Sequence, residues 1–128
     1  MITKKTWLNV ADQTNVEWLQ TFHLYKGFWR RSTSVGFFLK GSVRVIQPPR
    51  VGYKGYKFKF NKKGNICRAI VVRQVFPLVR KDGIAVCFRQ NAGLLIKKKQ
   101  NLKSKFSFGP STILIKRKKF KSIFKTLV

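Results

Sequence analysis

Acidic residues are almost absent from this sequence. Its 128 residues include only Asp12, Glu17 and Asp82 against 29 lysines and arginines, which gives a formal net charge of +26. General acid–base catalysis and two-metal chemistry need carboxylates, histidines or cysteines that converge on one site. Asp82 precedes a glycine in a turn signature, and Asp12 also has a turn-like neighbourhood, so few groups remain for catalysis. We predict that the protein is not an enzyme and has no small-molecule substrate.

Cysteine and histidine are scarce as well. Cys67, Cys87 and His23 are the only residues of these types, too few for a four-ligand zinc site when acids are also rare. We expect no bound metal and no cofactor. Both cysteines are interpreted as small core residues on strands, with a cross-strand disulfide as the alternative. His23, among apolar neighbours, is interpreted as a structural residue.

Long apolar runs are also missing. No segment approaches the roughly 18 residues that would span a bilayer, and nothing near Met1 resembles the apolar core of a secretory signal. Hydrophobic residues nevertheless make up 44% of the chain. This content allows a packed core in one domain over residues 1–128.

The excess of positive charge predicts an anionic partner. In an isolated domain so many cations repel one another, whereas a dense polyanion would neutralise them. Nucleic acid is the first candidate, and an anionic membrane surface is the second. The cations are spread over loops and strand ends, which favours folded RNA around the protein over a membrane.

Residues 68–96 predict a β-meander. Ala69–Val72 is an apolar, β-branched run between two arginines, as expected of a core strand with cationic ends. Asp82-Gly83 predicts a hairpin turn, because both residues tolerate positive φ. Ile84–Arg89 and Leu94–Ile96 are predicted to be the next two strands.

Other segments predict further strands and one helix. The additional strands are expected at Trp7–Val10, Glu17–Tyr25, Phe37–Ile46 and Tyr56–Phe60. Trp18, Phe22 and Leu24 are the core candidates of the second of these strands, and Val43 and Val45 share one face of the third. Residues 97–105 are polar and cationic, which favours an extended loop. Phe120, Ile123, Phe124 and Leu127 have the spacing of one face of a short amphipathic helix.

Several motifs in this sequence follow one another at fixed spacing. They are Ala69-Ile70-Val71-Val72, Asp82-Gly83, Phe88, Asn91 and Leu94-Leu95. Further motifs in the same order are Leu8-Asn9-Val10-Ala11-Asp12, Arg30-Arg31 with Val35-Gly36, and Phe108-Gly109-Pro110. With this pattern the chain resembles the universal large-subunit ribosomal protein fourteen family over nearly its whole length. It departs from the family at Leu94, where valine is usual, and at Asn15, where glycine is usual.

The resemblance implies a mainly β fold, a small five-stranded antiparallel β-barrel with an attached β-hairpin and one or two short C-terminal helices. Residues 1–128 would form a single domain with a basic hairpin extension at about 47–65 and a basic helical tail at about 111–128. The implied function is structural: the protein would bind large-subunit ribosomal RNA, reach small-subunit RNA across a bridge, and contact neighbouring large-subunit proteins. A free-standing basic RNA chaperone or ribosome-associated factor is the alternative.

The expected RNA contacts lie on basic loops and strand ends. We expect Arg30 and Arg31 to contact phosphates, with Phe28 or Trp29 stacked on a base or packed beneath; the alternative is a solvated loop with Trp29 in the core. The other expected contacts are Arg73, Arg80, Lys81, Arg89, Asn91, Lys97, Lys98, Lys99, Lys116, Arg117, Lys118 and Lys119. The expected subunit-interface residues are Lys105, Phe106, Phe108, Gly109 and Pro110. In some ribosomes an anti-association factor docks on this family, and Leu114 here replaces an acidic residue of its tail.

The amino-acid composition suggests a cellular compartment. Lysine outnumbers arginine by 20 to 9, and the chain has 12 phenylalanines and nine isoleucines but only four alanines. This composition is typical of AT-rich genes, as in many organellar genomes. The resemblance begins close to Met1, and we therefore expect no cleavable leader. We therefore expect an organelle-encoded protein of the mitochondrial large ribosomal subunit, with a plastid as the alternative.

Overall fold

The computed structural model describes residues 1–25, 27, 29–48 and 61–128. The strand predicted at Tyr56–Phe60 and most of the extension predicted at about 47–65 lie outside the described residues. The end of that extension is a turn, as predicted. The Asn65 N–H donates to the Lys62 carbonyl at 3.2 Å, and Gly64 has a φ of +89°.

Five strands form a closed barrel in the order β2–β3–β5–β6–β9. They are β2 Trp7–Val10, β3 Val16–Leu24, β5 Phe38–Ile46, β6 Ile66–Arg73 and β9 Ala92–Ile96. Neighbouring strands are antiparallel except for β2 and β9, which are parallel. An odd number of strands cannot alternate in direction all the way around a ring, so one parallel pair is unavoidable. The predicted five-stranded barrel is confirmed, and its sheet is mixed instead of wholly antiparallel.

The remaining elements are short. In chain order they are β1 Ile2–Thr3, β4 Ser32–Thr33, β7 Leu78–Val79, β8 Ala85–Val86 and α1 Lys118–Lys121. Strands β1 and β4 pair with each other, and β7 and β8 form a separate antiparallel hairpin.

The barrel interior is centred on β6 and β9. All four residues of Ala69–Val72 are buried, and so are all five residues of β9. Strands β3 and β5 approach each other closely at Gly41, where a Cβ atom would lie 2.6 Å from Leu19 Cγ and 2.7 Å from the Gln20 carbonyl oxygen. Glycine is needed at this position because a side chain would collide with the backbone of β3.

The predicted meander is correct in its first and last strands and wrong between them. The turn at Asp82-Gly83 forms as expected, with the Gly83 N–H donating to the Arg80 carbonyl at 3.1 Å and a Gly83 φ of +86°. The predicted strand Ile84–Arg89 is only two residues long, because the Phe88 N–H donates to the Gln74 carbonyl at 3.1 Å and the chain leaves the hairpin. Strand β6 therefore pairs with β9 and not with the returning hairpin strand.

Irregular pairing explains the core residues that were predicted wrongly. Strand β3 pairs with β5 through three register shifts, which break the simple alternation of inward and outward side chains. Leu24 is buried as expected, but Phe22 is 43% exposed and Thr21 is buried. On β5, Val43 is buried whereas Val45 is 38% exposed.

The two cysteines differ. Cys67 is buried on β6, as predicted, but Cys87 is exposed just after β8. The prediction of a core position is wrong for Cys87, since β8 has already ended there. Both side chains are free thiols.

The C-terminal helix is one turn long. Phe120 and Phe124 face the core as the spacing predicted, whereas Leu127 is 42% exposed. The helix cannot continue to Leu127, because the end of the chain pairs with the start of the tail. The Ser111 N–H donates to the Thr126 carbonyl at 3.1 Å, and the Val128 N–H donates to the Ser111 carbonyl at 2.8 Å.

Candidate nucleic-acid interface

The arginine loop, residues 29–31, is held by contacts that leave Arg31 exposed. The half-buried Arg30 donates from Nε to the Ser32 carbonyl at 2.9 Å, and its guanidinium carbon lies 4.6 Å from the centre of the Phe37 ring. Trp29 is 87% exposed, so the alternative that placed this ring in the core is wrong. Phe28, the other predicted stacking residue, lies outside the described residues.

A second group of cations lies on a tight turn at residues 97–101, which we call the lysine turn. The Lys97 N–H donates to the Asn101 carbonyl at 2.7 Å, and Gln100 adopts a φ of 57°. Leu102 then forms a bridge with Ile96. The prediction of an extended loop is wrong here, because the chain folds back on the end of β9. The three consecutive lysines 97–99 are all exposed.

The tail, residues 111–128, carries a third group of cations. Lys116, Arg117, Lys118 and Lys119 are all exposed. The Arg117 guanidinium donates to the side-chain oxygen of Gln100, and its carbon lies 5.6 Å from the centre of the Phe38 ring. Arg117 therefore joins the tail to the lysine turn.

The tail lines one pocket, which we call the aromatic pocket, and each of the other two groups is connected to it by one side-chain contact. It has a volume of about 270 Å³ and is lined by Tyr25, Val35, Gly36, Phe37, Phe38, Ile70, Leu114, Ile115, Lys116, Arg117 and Phe120. Phe37 connects the pocket to Arg30, and Arg117 connects it to Gln100. The sequence predicted the cations separately but did not predict the pocket, because its walls come from β5, β6 and the distant tail.

The hairpin of β7 and β8 and the segment that follows it carry other predicted contacts. Lys81 and Arg89 are exposed and Arg80 is half-buried. Asn91, also a predicted RNA contact, has a structural contact, because its side-chain oxygen accepts the Val75 N–H at 3.0 Å. This bond fixes the start of the hairpin to the strand that follows it.

Arg73 occupies a different position from the other predicted contacts. It is the only buried lysine or arginine among the residues that the structure describes. One guanidinium nitrogen donates to the Phe108 carbonyl at 2.8 Å and to the Pro110 carbonyl at 2.9 Å. Burial also lowers the pKa of Arg73. This arrangement argues against an RNA contact, and we leave Arg73 out of the proposed surface.

The predicted subunit-interface segment is anchored on its inner side. The Phe108 N–H donates to the Ala11 carbonyl at 2.7 Å, and a Cβ atom on Gly109 would lie 2.6 Å from the Arg73 guanidinium. Lys105 is exposed, Phe106 and Phe108 are 60% and 58% exposed, and Pro110 is half-buried. The segment therefore presents two aromatic rings and a cation outward from a fixed backbone.

Asp12 is a buried structural carboxyl group. One oxygen accepts the Thr14 N–H at 3.0 Å and also the Thr14 hydroxyl, and the other accepts the Leu95 N–H at 2.9 Å. Burial raises the pKa of Asp12, although these hydrogen bonds and nearby Lys103 act in the opposite direction. The carboxyl group thus ties the turn after β2 to β9, as expected of a structural residue.

A small polar cluster lies nearby and was not predicted. Lys103 Nζ lies 3.2 Å from the Asn61 side-chain oxygen and 3.6 Å from Cys67 Sγ. Asn15 accepts the Asn61 N–H at 2.9 Å. No local signal could have indicated the cluster, since its members come from three distant parts of the sequence.

Over residues 1–25, 27, 29–48 and 61–128, no three histidine, cysteine or acidic side chains are grouped to hold a metal ion. Within the same ranges, no helix has the length and apolar character needed to cross a membrane.

The fold and the site define a small, strongly cationic β-barrel protein that exposes many cations and several aromatic rings. The family model described as Ribosomal protein L14p/L23e matches residues 1–126, and the chain belongs to this family. It is therefore a structural protein of the large ribosomal subunit and not an enzyme.

Proposed function

We propose that this protein binds large-subunit ribosomal RNA through the cationic surface around the aromatic pocket. The observation that carries the proposal is the meeting of the arginine loop, the lysine turn and the tail at this pocket. The arginine loop lies some 70 residues or more before the lysine turn and the tail in sequence, and no acidic residue lines the pocket to which their contacts lead. Cations on such a surface would displace the counterions condensed on RNA phosphates, so that binding would weaken as the salt concentration rises.

The proposed RNA contacts are the predicted residues that the structure leaves available. They are Arg30, Arg31, Arg80, Lys81, Arg89, Lys97, Lys98, Lys99, Lys116, Arg117, Lys118 and Lys119. Aromatic rings next to such cations favour RNA with unpaired bases, because proteins recognise unpaired bases by stacking aromatic side chains on them. In an RNA duplex the deep, narrow major groove keeps side chains away from the bases.

We also propose that Lys105, Phe106, Phe108, Gly109 and Pro110 face the small subunit and contact its RNA across a bridge. The support is the fixed backbone and the outward rings of this segment. Neighbouring large-subunit proteins would cover other exposed apolar residues, such as Val79, which is 73% exposed on the hairpin. In particles assembled with Phe106→Ser and Phe108→Ser, we expect weaker subunit association and normal incorporation into the large subunit. Unchanged association would remove this segment from the bridge.

The RNA surface is tested by charge removal. In the variant Arg30→Gln/Arg31→Gln, we expect the slope of log affinity against log salt to fall by about 1.4–1.8, the contribution of two phosphate contacts. The measurement is binding of large-subunit ribosomal RNA at several salt concentrations.

Lys62→Gln/Lys63→Gln is the matched control, because it removes two exposed cations from a turn bonded to Val43, at the other end of β5 from Phe38. We expect a smaller change in slope for this control. Equal slopes for the two variants would exclude the arginine loop as a preferred contact.

We propose further that the protein works in a mitochondrial ribosome and is encoded in that organelle. The support is the ratio of 20 lysines to nine arginines, with many phenylalanines and isoleucines, a composition typical of AT-rich genes. Finding the coding sequence in mitochondrial DNA is the expected result. A gene in nuclear or plastid DNA would overturn this part of the proposal.

A further inference from the structure

We propose that the aromatic pocket is a binding site for one unpaired nucleotide of the RNA, with the base inside the pocket and its phosphates at the rim. This inference rests on the proposed function and adds a specific site to it. The shape of the pocket, its charges and a buried hydroxyl group support this site.

The walls of the pocket suit a flat aromatic ligand. Tyr25, Phe37 and Phe38 supply ring faces or edges, and buried Ile70 and Ile115 supply apolar surface. Phe120 packs edge-to-face on Phe38, with ring centres 5.9 Å apart, and fixes that ring in place. Proteins that bind unpaired nucleotides commonly stack the bases on aromatic side chains.

The rim of the pocket suits the phosphates. Lys116 and Arg117 line it directly, Arg30 lies over the ring of Phe37, which also lines it, and the Lys40 ammonium lies 5.7 Å from the centre of the Tyr25 ring. A pocket for an apolar side chain of another protein would not need these cations. The combination of aromatic walls and a cationic rim is the pattern of a nucleotide site.

A buried hydroxyl group also points to a polar ligand. The Tyr25 hydroxyl is buried and, in the part of the chain that the structure describes, has no hydrogen-bond partner. Buried tyrosine hydroxyls usually have one. A base carries donors and acceptors along its edge, and a benzene-like side chain carries none.

The first test fills the pocket. Leu114 lines the pocket and is 39% exposed, so Leu114→Trp can block the mouth from the surface. The probes are a short oligoadenylate RNA and an abasic oligoribonucleotide of the same length, which has the same phosphates but no bases. We expect the affinity for oligoadenylate to fall about tenfold, as on losing one stacking contact, and the affinity for the abasic strand to stay unchanged.

A pair of charge variants serves as an independent test in case Leu114→Trp disturbs the fold. Lys116→Gln removes a cation that lines the pocket, and Lys118→Gln removes an exposed cation, two residues further along the chain, that does not line it. Both variants lose one charge. We expect Lys116→Gln to weaken oligoadenylate binding more than Lys118→Gln does, and the melting temperatures to stay equal.

Two results would overturn the inference. If wild-type protein binds both strands equally and Leu114→Trp changes neither affinity, the pocket holds no base, while salt-dependent binding of ribosomal RNA would leave the proposed function intact. If the protein binds neither strand nor ribosomal RNA, the proposed function fails together with the inference.

Discussion

Two charged side chains in the barrel serve the fold instead of the surface. Asp12 accepts hydrogen bonds from Thr14 and Leu95, and Arg73 donates to the carbonyls of Phe108 and Pro110. Each of them attaches an irregular segment to a strand. Charged groups are seldom buried unless they are hydrogen-bonded in this way, and hydrogen bonds to charged groups are the stronger ones in proteins.

Replacing Arg73 should therefore cost stability and not RNA affinity. In Arg73→Met the carbonyls of Phe108 and Pro110 lose their donor, and we expect the free energy of unfolding to fall by about 1–3 kcal/mol. Arg68→Met is the control, because Arg68 is exposed on the same strand and should change stability by no more than about 0.5 kcal/mol. Urea unfolding measures both. A stable Arg73→Met protein with a reduced salt slope of RNA binding would instead make Arg73 an RNA contact.

Asp12 should give the protein a specific pH dependence. Its folded pKa is raised above the ordinary value of 3.8, so the unfolded chain loses the proton first as the pH rises. The contribution of Asp12 to the free energy of unfolding is therefore highest at low pH and falls as the pH rises from the ordinary to the raised pKa. Asp12→Asn should lack this dependence, whereas Asp82→Asn, on an exposed turn, should retain it.

The measurement is the urea midpoint between about pH 3 and pH 7. The chain has only three acidic side chains, which makes the comparison simple to assign. A wild-type protein that gains stability over Asp12→Asn as the pH rises would contradict the raised pKa.

At the level of elements, the local sequence pattern predicted the structure correctly where a strand or turn depends only on its own residues. Ala69–Val72 and the turn at Asp82-Gly83 follow directly from side-chain type. The pattern failed where distant segments decide, as at Phe22, which the shifted pairing of β3 with β5 turns outward. It failed again at Leu127, where pairing between the two ends of the tail stops the helix.

The difference in burial between Phe120 and Leu127 predicts how the tail contributes to stability. Phe120 is fully buried and contacts the Phe38 ring, whereas Leu127 is 42% exposed. We expect Phe120→Ala to lower the free energy of unfolding by about 3–5 kcal/mol, as for other large core residues. Leu127→Ala, from the same predicted helix face, should cost much less. Equal losses in urea unfolding would mean that the helix continues to Leu127 in solution.

At the level of the whole molecule, the charge could be read from the sequence but its arrangement could not. The net charge of +26 follows from composition, and the motifs led to the right family. The meeting of the arginine loop, the lysine turn and the tail depends on Phe37, Phe38 and Gln100, which carry no local sign of that role. A surface built from distant segments exists only once the barrel has closed.

The free protein should depend on its ionic surroundings for stability. Like charges on one small domain repel one another, and this repulsion weakens as the Debye length shortens to about 10 Å at 0.1 M salt. We expect the thermal midpoint of the isolated chain to rise with sodium chloride.

Inorganic polyphosphate at about 100 times its Kd should add about 2.7 kcal/mol to the free energy of unfolding if it binds only the folded state. Lys62→Gln/Lys63→Gln should respond less to salt than the wild type, because it carries two fewer charges. If neither salt nor polyphosphate changes the thermal midpoint, the barrel core alone offsets the charge repulsion. The anionic partner would then be needed for function but not for stability.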